Sequence, residues 1–123
     1  MTSTNTSGFE FLYDVQRMEP AGGWSATWRH PEKNAALTVS MPEGRVEEVI
    51  TALTEPPLQP GNPETMRYLL GRNLQSADAP LDCSYIATIE PHRAEANIQG
   101  VTELTSDEAP GGTVGVAVAR EGA

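Results

Sequence analysis

The sequence predicts an α+β fold: a single antiparallel sheet of about 5–6 strands, in the order β-β-β-α-α-β-β-β, with two consecutive helices packed on one face. Three observations carry this expectation. Apolar and polar residues alternate toward both ends of the chain, apolar residues recur at helical spacing between residues 46 and 74, and proline or glycine clusters punctuate the boundaries. At 123 residues the chain fits one domain with one core, so residues 9–121 are read as a single α+β domain. Residues 1–8, MTSTNTSG, show no periodicity and read as a flexible N-terminal arm.

The first strand is expected over residues 9–18, where Phe9, Phe11, Tyr13 and Val15 alternate with Glu10, Leu12, Asp14 and Gln16. Pro20-Ala21-Gly22-Gly23 breaks it, and Trp24, Ala26 and Trp28 alternate with Ser25, Thr27 and Arg29 in a second. The turn residues His30 to Asn34 lead into a third strand, Ala35 to Met41, so strands two and three read as a hairpin.

After Pro42-Glu43-Gly44, Val46, Val49, Ile50 and Leu53 fall at i, i+3, i+4 and i+7, the stripe of an amphipathic helix. Glu43, Glu47 and Glu48 suit the positive end of its dipole and put acids on its outer face. Glu55 to Pro63 holds four prolines and one glycine and reads as a stiff surface connection. A second helix is expected from the Asn62 cap, Pro63 and Glu64, with Met66, Leu69, Leu70 and Leu74 as its apolar stripe.

Alternation returns with Cys83, Tyr85, Ala87 and Ile89 on one face of a fourth strand, which Pro91-His92-Arg93 turns. Ala94 to Leu104 offers a fifth strand and Thr113 to Arg120 a sixth. Few strand pairs have a crossover helix between them, so antiparallel pairing is expected.

Composition narrows the function. The net charge is −9, from 17 carboxylates against 8 basic residues, and Lys33 is the one lysine. Direct binding to a nucleic-acid backbone is disfavoured, since it needs a basic stripe; a protein partner with a basic surface is the physical complement. No apolar run reaches the roughly 20 residues that span a bilayer, and the N-terminus lacks a signal-peptide pattern, so no membrane is involved and a cytoplasmic protein is expected. Cys83 is the single cysteine. It reads as a half-buried strand residue, no intrachain disulfide can form, and no metal or cofactor is expected.

His30 and His92 each adjoin a proline in an expected turn. Hairpin loops can share one end of a sheet, so the pair could work as acid and base with Glu32 and Glu90 as helpers. No H-x-x-x-H or H-x-H spacing supports a metal set. His30-Pro31-Glu32 is similar to a tripeptide of the pterin carbinolamine dehydratases, but there it follows a helix, whereas here a strand precedes it and Arg29 replaces the adjoining histidine; no family is assigned. Gly22-Gly23 and Gly111-Gly112 lack the features of a phosphate loop, and no serine sits in a nucleophile elbow.

Trp24 and Trp28, four apart on a strand, project from one face and form either core or a partner-binding patch. With no catalytic constellation, the sequence is read as a non-enzymatic protein–protein interaction module. That class spans a small bacterial or phage accessory, inhibitor or immunity-type protein and a subunit of a homo-oligomer or larger assembly. Trp24, Trp28, Glu43, Glu47 and Glu48 are its candidate contact residues. The alternative is a small-molecule-binding domain or small enzyme built on the His30 and His92 loops.

Overall fold

The computed structural model describes residues 11–107 and 114–122, and the arm expected over residues 1–8 lies outside them. The described residues form strands β1 (Tyr13–Met18), β2 (Trp24–Arg29), β3 (Ala36–Met41), β4 (Glu48–Thr54), β5 (Met66–Arg72), β6 (Thr88–His92), β7 (Ile98–Leu104) and β8 (Gly115–Arg120). They contain no helix, and the strands make three small antiparallel sheets, β1-β4-β5, β2-β3-β6 and β7-β8. This corrects the α+β expectation: both predicted helices are strands, and the single sheet is three. The antiparallel pairing and the β2–β3 hairpin are as expected.

The chain divides into two compact units, interleaved in sequence. One comprises the chain through Glu19 together with Glu47–Leu74; the other comprises Pro20–Val46 and the chain from Gln75 onward.

The first unit is the β1-β4-β5 sheet. β4 occupies its centre, pairing with β1 through Met18–Val49 and Arg17–Ile50 and with β5 in unbroken register from Glu48–Arg72 to Thr54–Met66. Val49, Ile50 and Ala52 are buried, so both faces of this strand are covered at once. A strand buried on both faces loses the period of two, and an apolar run of this kind mimics helical spacing. The residues themselves favour the strand: Val49, Ile50, Thr51 and Thr54 are β-branched, which suits a pleated surface better than a helix. Upstream, Gly44 has φ +81°, a left-handed conformation that turns the chain where the first helix was expected to begin.

The second expected helix fails for a related reason. Asn62 does not cap it: its N–H donates to the Gln59 carbonyl at 3.1 Å and its Nδ2 to that of Pro57 at 2.8 Å, folding the proline-rich segment into a loop between β4 and β5. The local cap signal loses to seven residues of cross-strand pairing. At the other edge, β1 carries a bulge between Tyr13 and Gln16, where Asp14 takes φ 49°, one of the few side chains that tolerate the left-handed region.

In the second unit β3 is central, paired residue for residue with β2 from Trp24–Met41 to Arg29–Ala36 and with β6 from Ser40–Thr88 to Ala36–His92. β6 is shorter than the strand expected from Cys83: residues 81–87 are irregular, and Cys83 is exposed rather than half-buried. Pro91 and His92 belong to the strand, not to a turn. The turn before β4 is tied to β7 by Arg45, whose Nε donates to Glu103 Oε2 at 2.9 Å while a second guanidinium nitrogen bonds Glu103 Oε1. Pro42 and Val101 are buried nearby in the chain order of this unit.

Candidate interaction surfaces

Residues directly opposite one another in a sheet share a face, so the β2-β3-β6 register sorts its side chains into two sets. One set is apolar: Trp24, Ala26 and Trp28 from β2, Leu37, Val39 and Met41 from β3, and Ile89 from β6. The other is polar: Ser25 and Thr27, Thr38 and Ser40, and Thr88, Glu90 and His92. On β2 burial follows the usual expectation, with Ser25 and Thr27 exposed, but on β3 and β6 it runs against it. Thr38 and Ser40 are 5% and 8% exposed, whereas Leu37 and Ile89 on the apolar face are 39% and 66% exposed. Ser25 and Ser40 line a cleft of about 220 Å³ with Trp24, Met41, Ile98, Gly100 and Val101, so the start of β7 lies beside the Ser25–Ser40 end of the sheet. Trp24 and Trp28 stand on the same face, half-buried, with Ala26 between them, as their spacing predicts.

The polar face is tied together by hydrogen bonds. Thr38 Oγ1 lies 2.8 Å from Thr27 Oγ1 and 2.8 Å from His92 Nε2, a chain that crosses all three strands. Glu90 ties the same face to the start of β7: its Oε1 accepts from the Asn97 N–H at 2.8 Å and from Asn97 Nδ2 at 2.9 Å, and its Oε2 accepts from the Ile98 N–H at 3.0 Å. The Ile98 and Asn97 backbone donors stabilise the carboxylate and hold the Glu90 pKa below its ordinary value.

His30 serves a different purpose. At the hairpin tip its Nδ1 accepts the N–H groups of Glu32 at 3.1 Å and Lys33 at 3.2 Å, closing the turn. His30 follows β2 and His92 ends β6, strands that flank β3 at two strand spacings, ~9–10 Å. Alternation directs them to opposite faces. His30 thus bonds within its own turn, with the Glu32 and Lys33 N–H groups, and His92 bonds Thr38 on the sheet. Among the described residues no group of three or more His, Cys, Asp or Glu side chains is arranged to hold a metal ion.

The three acids expected on one helix face are dispersed. Glu43 is exposed in the turn after β3. Glu47 accepts the Leu74 N–H on Oε2 at 3.0 Å and closes the end of the β4–β5 pair. Glu48 is only 15% exposed at its side chain and lies between two guanidiniums, Arg17 at 3.7 Å and Arg72 in closer contact. Beside them in the same unit, Leu12, Val15, Ile50 and Leu70 line a cleft of about 360 Å³ with Arg17 and Arg72 at its wall. Sequence reasoning did not identify this cluster, since residues 17, 48 and 72 meet only through strand register.

Among the described residues no helix is long and apolar enough to cross a membrane. Comparison with protein-family models, with curated proteins and with solved structures finds no match, and the functional reading rests on the chain's own surfaces.

Proposed function

We propose that this chain is a non-enzymatic protein–protein interaction module, best accounted for as a subunit of an assembly, that uses the apolar face of the β2-β3-β6 sheet to seat a partner. The observation that carries this reading is the exposed apolar surface of that sheet at β3 and β6. On the central strand β3 the polar Thr38 and Ser40 are buried and hydrogen-bonded, while the apolar face keeps Leu37 and Ile89 exposed beside two half-buried tryptophans. Contiguous exposed apolar surface mostly marks interaction sites, and tryptophan is prominent among the side chains that anchor them. The net charge of −9 favours a partner whose contacting surface is basic, since opposite potentials speed encounter and disfavour wrong partners. A cytoplasmic location belongs to the same proposal, on the single cysteine and the absence of any apolar run long enough to span a bilayer as a helix.

Size-exclusion chromatography with light scattering, on the purified chain and on tagged chain recovered from its host, tests the reading. The expected result is a defined complex at physiological ionic strength that weakens as salt rises. A monodisperse monomer that retains no partner at any salt concentration would count against it. The enzyme reading has no comparable support, because His30 and His92 are committed to separate hydrogen-bond sets.

A further inference from the structure

The cleft on the β1-β4-β5 sheet is unlike the rest of this acidic molecule. Its wall is apolar, from Leu12, Val15, Ile50 and Leu70, and it carries two arginines, Arg17 and Arg72. Among the described residues the carboxylate paired with both is that of Glu48, so two positive charges there face one negative. Arg17 is loosely engaged, 3.7 Å from Glu48 with its side chain 61% exposed, and is available to a ligand. Arg72 is more firmly held by Glu48, yet its side chain is 42% exposed, so part of its guanidinium edge still faces outward. The net charge of −9 does not remove this local attraction, because at physiological salt distant surface charges are screened beyond ~8 Å.

We infer that this cleft is a binding site for a small carboxylate with an apolar body: the carboxylate pairs with Arg17 and the outward edge of Arg72, and the body lies on Val15, Ile50 and Leu70. Arginine is suited to the role, since its planar fork matches carboxylate geometry and stays charged at every physiological pH. The cleft volume, about 360 Å³, is within the range of sites that hold small organic ligands. This inference stands apart from the protein-binding reading, which concerns the other unit.

Octanoate, octanol and octylammonium, titrated into the full chain and followed by amide chemical shifts, test it with one apolar body and three head groups. Octanoate should shift amides of β1, β4 and β5, and bind at least ~10-fold more tightly than either of the others, the factor expected from one charge-assisted contact. Arg17→Gln leaves the Arg72–Glu48 pair in place and should remove most of that preference without weakening octanol. Val15→Glu, at a position already 48% exposed, sets a carboxylate in the cleft and should abolish octanoate binding while the fold persists. Equal affinity for octanoate and octanol, unchanged octanoate binding in Arg17→Gln, shifts confined to β2 and β3, or no octanoate binding at about 1 mM would each overturn the assignment.

Discussion

Replacing Thr51 with alanine distinguishes the strand from the helix at residues 48–54 by the sign of its effect. In a helix Thr51→Ala would stabilise, by up to about 0.7 kcal/mol, because alanine is the best helix former and threonine among the poorer ones. In the structure Thr51 is half-buried in the central strand, opposite Gln16 of β1 and Leu69 of β5. Two losses then add. The β preference of threonine over alanine is part of a scale spanning ~1 kcal/mol, and the removed methyl, about half out of water, contributes ~0.4 kcal/mol. The expected result is destabilisation by about 1 kcal/mol, or a fall of roughly 4–8 °C in Tm if the chain melts cooperatively. Urea and thermal unfolding followed by circular dichroism measure it. A rise in either midpoint would refute the strand and the register built on it.

Glu90 makes stability depend on acid. Its folded pKa lies below its ordinary value, so its contribution is fully present above about pH 4.3 and is lost as pH falls through the lowered value. Glu90→Gln should therefore lower Tm at neutral pH, and the gap to the native chain should close in acid; a gap constant with pH would show that the charge is not involved. Thr38→Val removes the central hydroxyl of the Thr27–Thr38–His92 chain at a 5% exposed site and should cost about 1 kcal/mol by urea unfolding, the net value of a hydrogen bond whose partners, exposed Thr27 and half-buried His92, can turn to water. A neutral result would mean that the three groups do not act together. Ile89→Lys, at 66% exposure, should change stability by no more than about 0.5 kcal/mol yet dissociate the proposed complex, and an intact complex would move the contact away from this face.

The strands in alternating segments were legible. β1, β2, β3, β7 and β8 all fall within segments of period two, and the proline and glycine clusters marked the breaks between them. β4 and β5 were not legible, because Val49, Ile50 and Ala52 are buried from both sides and their spacing imitates a helical stripe. Asn62-Pro63-Glu64 strengthened the error, since a cap signal is local whereas pairing with β4 is not. The site was legible to the same degree. That Trp24 and Trp28 share a face follows from their spacing. That β7 lies beside the Ser25–Ser40 end of the sheet depends on residues 98–101, far away in the chain. The Arg17, Glu48 and Arg72 cluster needed the full register of three strands.

The interleaving of the two units bears on how the chain is made. β1 leaves the ribosome long before β4, its one sheet partner among the described residues, and all of β2 and β3 is synthesised in between. The first unit cannot close until β5 has emerged, and the second must wait for β8 at the far end of the chain. Folding should therefore begin at the β2–β3 hairpin, whose partners are close in sequence, with β1 threading in afterwards. No single cut yields either unit as a continuous fragment, so halves made by truncation would each lack an edge or a centre. A nascent chain paused before β4 would present β1 as an unpaired edge, the state in which a strand most readily adds to a neighbouring chain.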